Sequence, residues 1–431
     1  MNEEFLKNIK VAHFVGIGGV GTSAVARMLL TRGVAVSGSD REPSPNTEKL
    51  MAEGVKVFFG HDKANVPPDC DLVAYSPAVK MDNPELVVAA ERGIQVFSYP
   101  RVLGIISEGM RTIAVSGTHG KTTTTAMISE ILVGAKLSPT VIVGSILKKT
   151  GSNFVAGTSN LFVAEACEYQ RSFMNLTPEI LVITNIDNDH LDYYGNIEGV
   201  QKAFAEFAEK VPENGVVVCD PNDPFVAPVL KNVKARIVDY TKEDIMVPLQ
   251  VSGAHNVKNA KAAIAVAQIL GVNNIEAIRL LALFKGTWRR MESKGKMQNG
   301  ALVYDDYAHH PTEIKATLQG FREKYRNWRI VVVYQPHLYS RTKSLLNDFA
   351  QAFSDADEVI VAPIYAAREA VDPEISSEIL ADKIRAHNPN VHAGANFAEI
   401  ENYLRDTITE NDLVVTMGAG DIYKIGERLL V

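Results

Sequence analysis

Short apolar runs alternate with amphipathic stretches along the whole chain, and this alternation is its clearest structural signal. The run VAHFVG is followed by a glycine-rich turn, an amphipathic segment and a second apolar run, VAVSGSD. Three more runs, VKVFFG, DLVAYSPAV and IQVFSY, follow at similar spacing. Strands that alternate with helices are typical of a parallel sheet covered by helices on both faces. The pattern therefore predicts an N-terminal Rossmann-like α/β domain.

The same alternation continues to the C-terminus. Strands are predicted at TIAVS, TVIVGS, LFVAEA, ILVITNI and NGVVVCD, with helices at 198–210 and 256–270. Beyond Thr287, strands are predicted at ALVYDDY, RIVVVYQP, DEVIVAPIY and DLVVTM, with helices from Pro311 and from about Thr342. The chain is therefore predicted to be α/β with three domains. These are a Rossmann-like domain at 1–108, a central P-loop ATPase-like domain with a parallel sheet at 109–286, and a Rossmann-like domain at 287–431.

The composition argues against several classes of function. At 431 residues the chain exceeds what one hydrophobic core usually holds, and 46% hydrophobic with 22% charged residues is ordinary for a globular protein. No apolar run approaches the ~20 residues of a membrane span, so no membrane partner is expected. The formal net charge of −7 argues against nucleic-acid binding, which needs a basic face. Only three cysteines occur, which fits a reducing cytoplasm better than a disulfide framework.

The segment TIAVSGTHGKTT carries the strongest chemical signal. An apolar strand stops at a turn containing Gly117 and Gly120, and a helix-like segment follows Lys121. This is the form of a phosphate-binding loop, in which backbone N–H groups and the helix N-terminus face phosphate oxygens. Lys121 is predicted to contact the terminal phosphates, and the Thr122 hydroxyl to bind Mg²⁺. Val115 stands where the general motif has its first glycine.

A second glycine-rich loop lies near the N-terminus. Gly16, Gly18 and Gly21 form G-x-G-x-x-G, and Asp40 ends the next predicted strand. Taken alone, this arrangement would suggest NAD, although its glycines suit any diphosphate. Two such loops in one chain suggest a nucleotide-linked substrate in the first domain and ATP in the second. Ser76, at the end of another strand, is either a ligand contact or a turn residue.

Acidic and imidazole side chains follow the next strands of the central domain. Glu165 and Glu168 come directly after LFVAEA, and His190 ends a segment that also holds Asn185, Asp187 and Asp189. Acids at a strand end beside a phosphate loop can bind Mg²⁺. Without that loop, solvated acids and an ordinary polar histidine would be the simpler interpretation.

Further candidates lie toward the C-terminus. Asn256 and Asn259 can match the edge of adenine or simply cap a helix. The pair Arg289 and Arg290 lies at a predicted domain joint, where an arginine can reach a phosphate. Two strand ends carry the remaining candidates, which are Asp305, Asp306, Tyr307, His309 and His310, then His337 and Arg341.

Taken together, these motifs resemble the Mur ligases, the ATP-dependent amide-forming enzymes of peptidoglycan synthesis. The matching segments occur in the family's order and run nearly end to end, from HFVGIGGVGTSAVA to TMGAGDIY. The resemblance implies a ligase that joins L-alanine to the carboxylate of UDP-N-acetylmuramate through an acyl phosphate. It implies ATP and Mg²⁺ as cofactors. A monomer or weak homodimer is expected.

The resemblance also implies roles for individual residues. Catalysis would rest on Lys121, Glu165, His190, His309 and Arg341, and Mg²⁺ would be bound by Thr122, Glu165 and His190. ATP would be held by Gly117, Thr118, His119, Gly120, Lys121, Thr122, Thr123, Asn256, Asn259, Arg290, Asp306 and Tyr307. The nucleotide sugar would be held by Gly18, Gly19, Val20, Gly21, Asp40 and Ser76. His309 and Arg341 would bind the incoming amino acid.

Two positions and one segment depart from the family pattern. Phe204 stands where several members carry a carbamylated lysine, and Lys202 is out of register, so no modified lysine is assigned. Leu338 replaces an arginine of some relatives, and the stretch 239–252 is short. Two alternatives stay open: a ligase of the same family that recycles a preformed tripeptide, and a non-catalytic nucleotide-sensing protein. A degenerate enzyme commonly loses one of Lys121, Glu165, His190 or Arg341, and all four are present.

Overall fold

The structure is a computed structural model that describes residue 6 and residues 8–243, 246–367 and 369–431. The described strands form three sheets, and the chain divides into two compact units. The first unit comprises Met1–Pro248 and Lys258–Leu283 and holds two of the sheets. The second comprises Leu249–Val257 and Phe284–Val431 and holds the third. The predicted α/β class with three sheet domains is confirmed.

The N-terminal sheet has five parallel strands in the order β3-β2-β1-β4-β5. The strands are β1 (Val11–Val15), β2 (Ala35–Asp40), β3 (Lys56–Phe59), β4 (Leu72–Tyr75) and β5 (Gln95–Ser98). The helices are α1 (Val20–Thr31), α2 (Pro45–Ala52), α3 (Pro84–Glu91) and α4 (Tyr99–Ser107). The strand order reverses beside β1, so a crevice for ligands is expected at the carboxyl ends of β1 and β4.

The middle sheet has seven strands in the order β12-β11-β10-β6-β9-β7-β8. They are β6 (Arg111–Ser116), β7 (Thr140–Leu147), β8 (Ser152–Val155), β9 (Leu161–Glu165), β10 (Ile180–Ile183), β11 (Val216–Cys219) and β12 (Arg236–Asp239). The helices are α5 (Lys121–Gly134), α6 (Leu191–Tyr194), α7 (Ile197–Ala208), α8 (Ala254–Ile269) and α9 (Asn274–Leu281), with a 3-10 helix at Tyr169–Asn175. β8 pairs antiparallel with β7, so the sheet is not parallel throughout as predicted.

The C-terminal sheet has six strands in the order β13-β14-β18-β15-β16-β17. They are β13 (Glu292–Lys296), β14 (Leu302–Asp306), β15 (Arg329–Tyr334), β16 (Glu358–Val361), β17 (Val391–Ala393) and β18 (Asp412–Met417). The helices are α10 (Pro311–Lys324), α11 (Tyr339–Ser344), α12 (Leu346–Ala350), α13 (Ser377–Arg385), α14 (Phe397–Thr407) and α15 (Tyr423–Arg428). The helix predicted from about Thr342 is thus two short helices, the first of which begins at Tyr339.

Apolar strands that are buried on both faces form the core of each sheet, as parallel sheets require. In the first unit one continuous apolar cluster runs from β1 through α4 to α7. Phe204 belongs to that cluster, is fully buried, and meets Phe173 edge to face at 5.3 Å between ring centroids. Lys202 is exposed. The position of Phe204, at which no modified lysine was assigned, is therefore a core position.

None of the helices in the described ranges combines the length and the apolar character that a membrane crossing requires.

Candidate active site

The phosphate loop joins β6 to α5 at the carboxyl edge of the middle sheet. Gly117 has φ +131°, and a Cβ there would lie 2.0 Å from the hydroxyl oxygen of Thr184. Gly120 has φ +81°, and a Cβ there would lie 2.5 Å from Oδ1 of Asn259. Only glycine fits both positions, because other residues avoid this backbone region and would clash. Gly120 is also the N-cap of α5, so no side chain caps the first turn of that helix.

The segment after β10 holds the phosphate loop in place. Asn185 accepts hydrogen bonds from the backbone N–H of Thr118 at its carbonyl (3.0 Å) and from that of His119 at Oδ1 (2.9 Å). The ring Nε2 of His119 lies 3.0 Å from Oδ2 of Asp187. Two N–H groups of the loop are therefore already bonded to protein. A phosphate would be met mainly by Lys121 and the first turn of α5, where Thr123 also lies.

Lys121 lies inside a polar cage. Its Nζ donates to the carbonyls of Gly117 (2.6 Å) and Thr118 (3.0 Å) and lies 2.9 Å from Oε1 of Glu168. Burial alone would lower the pKa of Lys121, but Glu168, Cys167 and Glu165 together outweigh burial and raise it. Glu168 is 2% exposed, and its Oε2 has no hydrogen-bond partner among the described residues. The cation is thus held by one buried carboxylate that retains an unused oxygen.

Residues that can bind Mg²⁺ lie at the same edge of the sheet as this lysine. The Thr122 hydroxyl donates to Oε1 of Glu165 (2.9 Å), and the backbone N–H of Gly144 donates to Oε2 of Glu165 (2.7 Å). His190 has φ +55°, a strained conformation, and its Nε2 lies 3.8 Å from Oε1 of Glu168. Hydroxyl and carboxylate oxygens are the ligands that Mg²⁺ prefers. The structure therefore brings the three predicted metal residues, Thr122, Glu165 and His190, to one edge of the sheet.

The N-terminal glycine loop lies at the carboxyl edge of the first sheet. The N–H of Gly18 donates to Oδ2 of Asp40 (2.8 Å). Ser76 follows β4, and a Cβ on Gly16 would lie 3.0 Å from the Cβ of Ser76. Gly19 is the N-cap of α1 and provides no side-chain cap. The predicted nucleotide-sugar residues therefore adjoin one another, with Val20 and Gly21 in the first turn of α1.

The two asparagines of α8 make different contacts. The amide of Asn256 donates to the carbonyl of Ser252 (2.7 Å), which is a bond within the same compact unit. Asn259 lies against Gly120 of the phosphate loop, as the close approach of its Oδ1 shows. Both side chains are buried. Asn259 therefore lies beside the phosphate loop.

Asp306, at the end of β14, is a buried acid in the second unit. Its Oδ2 accepts a hydrogen bond from the N–H of Met291 (2.6 Å), and its Oδ1 accepts one from the N–H of Ala308 (2.8 Å). Burial raises its pKa to about 6, although the guanidinium of Arg290 opposes that rise. Arg290 itself lies over the ring of Tyr307, 5.1 Å from the centroid. Three predicted ATP contacts, Arg290, Asp306 and Tyr307, are therefore neighbours.

The raised pKa of Asp306 predicts a pH dependence of stability. The folded chain holds a proton on Asp306 between about pH 4 and about pH 6, where the unfolded chain has already released it. Raising the pH through this window should therefore lower the free energy of unfolding, by roughly 3 kcal/mol from this group. Asp306→Asn removes the titrating group, so it should lose less stability than the wild type over the same window. Urea denaturation of both proteins at several pH values checks this; parallel curves would contradict it.

The predicted amino-acid residues lie at the carboxyl ends of β14 and β15. His309 Nδ1 donates to the carbonyl of Tyr307 (3.0 Å), so in the neutral ring the lone pair is on Nε2. The rings of His309 and His337 are 5.9 Å apart, and a guanidinium nitrogen of Arg341 lies 3.2 Å from Nδ1 of His337. Leu338 has φ +72° at the turn between them. His309 and Arg341 are thus linked through His337.

Arg289, considered above as a phosphate contact, is instead a buried structural residue. Its Nε donates to Oδ2 of Asp305 (2.7 Å), and its two other nitrogens donate to the carbonyls of Gly418 (2.6 Å) and Gly420 (2.7 Å). It is 2% exposed. Each of its three guanidinium nitrogens is therefore engaged inside the second unit, and Arg290 is the better candidate for a ligand contact.

Two residues of this region were not selected from the sequence. Glu168 is one of two acids in its loop, and nothing in the sequence indicates which of the two forms the ion pair with Lys121. Tyr99 was not considered, although it directly follows β5 and so lies at a strand's carboxyl end, where ligands bind in such sheets. Its ring covers Gly21 of the N-terminal loop.

Three family models match the chain in succession. Residues 11–111 match the Mur ligase family, catalytic domain. Residues 115–246 match the Mur ligase middle domain, and residues 289–420 match the Mur ligase, glutamate ligase domain.

Similar proteins cover the full chain. A UDP-N-acetylmuramate–L-alanine ligase of Clostridium kluyveri is 42% identical over 458 residues, covering 100% of both chains. The enzyme of that name from Acetivibrio thermocellus is 43% identical over 98% of this chain and 96% of its own. Among solved structures, a UDP-N-acetylmuramate–alanine ligase from Thermotoga maritima has a TM-score of 0.81 at 30% identity, covering 98% of both chains. A murein peptide ligase from Psychrobacter arcticus has a TM-score of 0.73 at 26% identity, also covering 98% of both.

Proposed function

Because the chain belongs to the Mur ligase family, we propose that it is an ATP-dependent ligase that joins L-alanine to the carboxylate of UDP-N-acetylmuramate. The observation that carries the phosphoryl-transfer part is the convergence of Lys121, Thr122, Glu165 and His190 at one sheet edge. The choice of L-alanine is supported by relatives of that name at 42–43% identity over nearly the whole chain. The product would be a precursor of peptidoglycan.

The chemistry follows from charge. A carboxylate does not react with an amine at neutral pH, so the acid must first be activated. A carboxylate oxygen of the sugar nucleotide attacks the γ-phosphorus of ATP, the bond to the β–γ bridging oxygen breaks, and ADP leaves. The result is an acyl phosphate. Lys121 offsets the repulsion between the two anions, and accurate positioning supplies most of the remaining rate.

The metal residues fit Mg²⁺ by their chemistry. Thr122 and Glu165 present oxygen atoms within 2.9 Å of each other, and one buried oxygen of Glu168 has no hydrogen-bond partner among the described residues. We assign Thr122, Glu165 and His190 to the metal. When bound, Mg²⁺ would neutralise charge that develops on the phosphate oxygens. The Lys121 cation, which lies beside these residues, would orient the phosphates with or without the metal.

Amide formation is the second step. The amine of L-alanine attacks the acyl carbon, a tetrahedral intermediate forms, and inorganic phosphate leaves as the C–N bond is completed. Arg341 is proposed to bind the carboxylate of the amino acid, since a guanidinium pairs with carboxylates in a planar fork. His309, whose Nδ1 is held by the carbonyl of Tyr307, is proposed to orient the amine or to take up its proton at Nε2.

The remaining assignments are also proposals. The N-terminal loop, with Gly18, Asp40 and Ser76, is assigned to the uridine diphosphate part. Asn256, Asn259, Arg290, Asp306 and Tyr307 are assigned to ATP. The domain boundaries 1–108, 109–286 and 287–431 are supported by the limits of the three family matches. We further propose a cytoplasmic location, which three cysteines without disulfides support, and a monomer or weak homodimer without membrane or nucleic-acid partners.

Release of ADP tests both the reaction and the donor. The purified chain is incubated with ATP, Mg²⁺ and UDP-N-acetylmuramate, and L-alanine, L-serine, glycine or the tripeptide is added separately. We expect L-alanine to give the highest kcat/KM, and chelation of Mg²⁺ to stop ADP release. The highest kcat/KM with the tripeptide would favour the tripeptide-recycling alternative; one similar solved structure, at 26% identity, is named a murein peptide ligase. No ADP with any donor would contradict the proposal.

A further inference from the structure

Tyr99 occupies a position that links the two predicted ligand sites of the first compact unit. It is the first residue of α4, directly after β5. Its ring lies over the first turn of α1, since a Cβ on Gly21 would come within 2.4 Å of a ring carbon and 2.8 Å of the hydroxyl oxygen. That turn belongs to the loop assigned to the diphosphate. The phenol is therefore at the sugar-nucleotide site.

Tyr99 is also an electrostatic neighbour of Glu165, one of the residues assigned to the metal. Burial raises the pKa of Tyr99, and the neighbouring Cys167 and Glu165 raise it further. A phenol in this setting stays protonated at the pH of any ordinary assay and acts as a hydrogen-bond donor. The side chain is nonetheless part exposed, so a ligand can reach it.

Among the described residues, no hydrogen bond to the Tyr99 hydroxyl is formed, whereas the hydroxyls of Tyr194 and Tyr240 donate to the carbonyls of Glu168 and Thr184. The part-exposed side chain leaves this hydroxyl open to solvent, so a ligand atom can take the place of water as its partner. The partner is expected to be an acceptor that arrives with the ligand.

We infer that the Tyr99 hydroxyl donates a hydrogen bond to an anionic oxygen of the nucleotide sugar. This oxygen belongs either to the diphosphate or to the carboxylate. The inference deepens the proposed function and rests on it. Tyr99 would be a substrate-positioning residue that holds the sugar end of the nucleotide beside Glu165. Both possible acceptors are anionic oxygens. A comparison of a ligand that has the carboxylate with one that lacks it distinguishes them.

Tyr99→Phe removes only the hydroxyl and keeps the ring that covers Gly21. Titration calorimetry with the full chain measures Kd for UDP-N-acetylmuramate and for UDP, which has the diphosphate but no carboxylate. We expect a tenfold or larger increase in Kd for UDP-N-acetylmuramate, the size typical of a hydrogen bond to a charged group. An equal increase for UDP would identify a phosphate oxygen as the acceptor, and an unchanged Kd for UDP would identify the carboxylate.

Steady-state kinetics gives a second readout that a purely structural role would not move. KM for UDP-N-acetylmuramate should rise while KM for ATP stays within about twofold of the wild type. Tyr193→Phe is the matched control, because it removes a hydroxyl from an exposed ring of the same unit. Unchanged Kd and KM in Tyr99→Phe would overturn the inference. Failure of the wild type to bind either nucleotide would instead contradict the proposed function.

Discussion

Lys121→Ala is expected to lower the rate of ligation by at least roughly 10²–10³-fold, the size seen when a donor to developing charge is removed from an enzyme site. Lys121 belongs to the phosphate loop, and its cation is held 2.9 Å from Glu168 and beside two loop carbonyls. Without it, the γ-phosphate and the attacking carboxylate meet with less of their repulsion offset. The measurement is kcat/KM for ADP release in the presence of UDP-N-acetylmuramate and L-alanine.

The variant also leaves Glu168 buried without its cation, so stability must be separated from catalysis. A buried charge that loses its partner costs about 3–5 kcal/mol. The double variant Lys121→Ala, Glu168→Gln should recover much of that loss, as measured by urea denaturation, without recovering activity. Lys202→Ala, at an exposed lysine, is the matched control and should retain activity. Ligation at the wild-type rate by Lys121→Ala would end the phosphoryl-transfer proposal.

Arg289→Met is expected to destabilise the second compact unit by about 3–5 kcal/mol. The change leaves the carboxylate of Asp305 buried with no guanidinium beside it, and it removes the donors to the carbonyls of Gly418 and Gly420. Burial already raises the pKa of Asp305, and Arg289 is the main opposing influence. The free energy of unfolding from urea denaturation, followed by circular dichroism, measures the effect.

Two companion variants make this prediction specific. Arg290→Met removes a neighbouring guanidinium that is more exposed, with 28% of its side-chain surface accessible. It should cost well under half as much stability but raise KM for ATP. Arg289→Met combined with Asp305→Asn should be more stable than Arg289→Met alone, because no unpaired charge stays buried. Equal losses of stability in Arg289→Met and Arg290→Met would show that the buried ion pair of Arg289 is not the cause of the destabilisation.

Much of the fold could be predicted from the alternation of apolar and amphipathic segments, since buried parallel strands read as apolar runs. β8, β12, β13 and β17 were missed for a common reason. Each is a short strand of three to five residues at or near a sheet edge, where pairing rather than an apolar pattern stabilises the strand. β13 has the sequence ESKGK and no apolar residue, and its antiparallel pairing with β14 defines it.

The site was predicted best where a motif forms within a few residues. The phosphate loop is such a case, because its glycines and Lys121 act through local backbone geometry. The pairing of Lys121 with Glu168 could not be predicted, because it depends on a segment in which Gln170 and Arg171 adopt positive φ. Likewise, which of Arg289 and Arg290 is buried depends on β14 and β18, which are distant in sequence.

Oxygen-18 transfer from the acid to phosphate is the most direct test of the central claim. UDP-N-acetylmuramate labelled with oxygen-18 in its carboxylate is incubated with ATP, Mg²⁺, L-alanine and the enzyme, and the inorganic phosphate released is analysed by mass spectrometry. If the carboxylate is phosphorylated, one labelled oxygen passes to the phosphate in each turnover. Unlabelled phosphate accompanying labelled amide product would contradict an acyl phosphate.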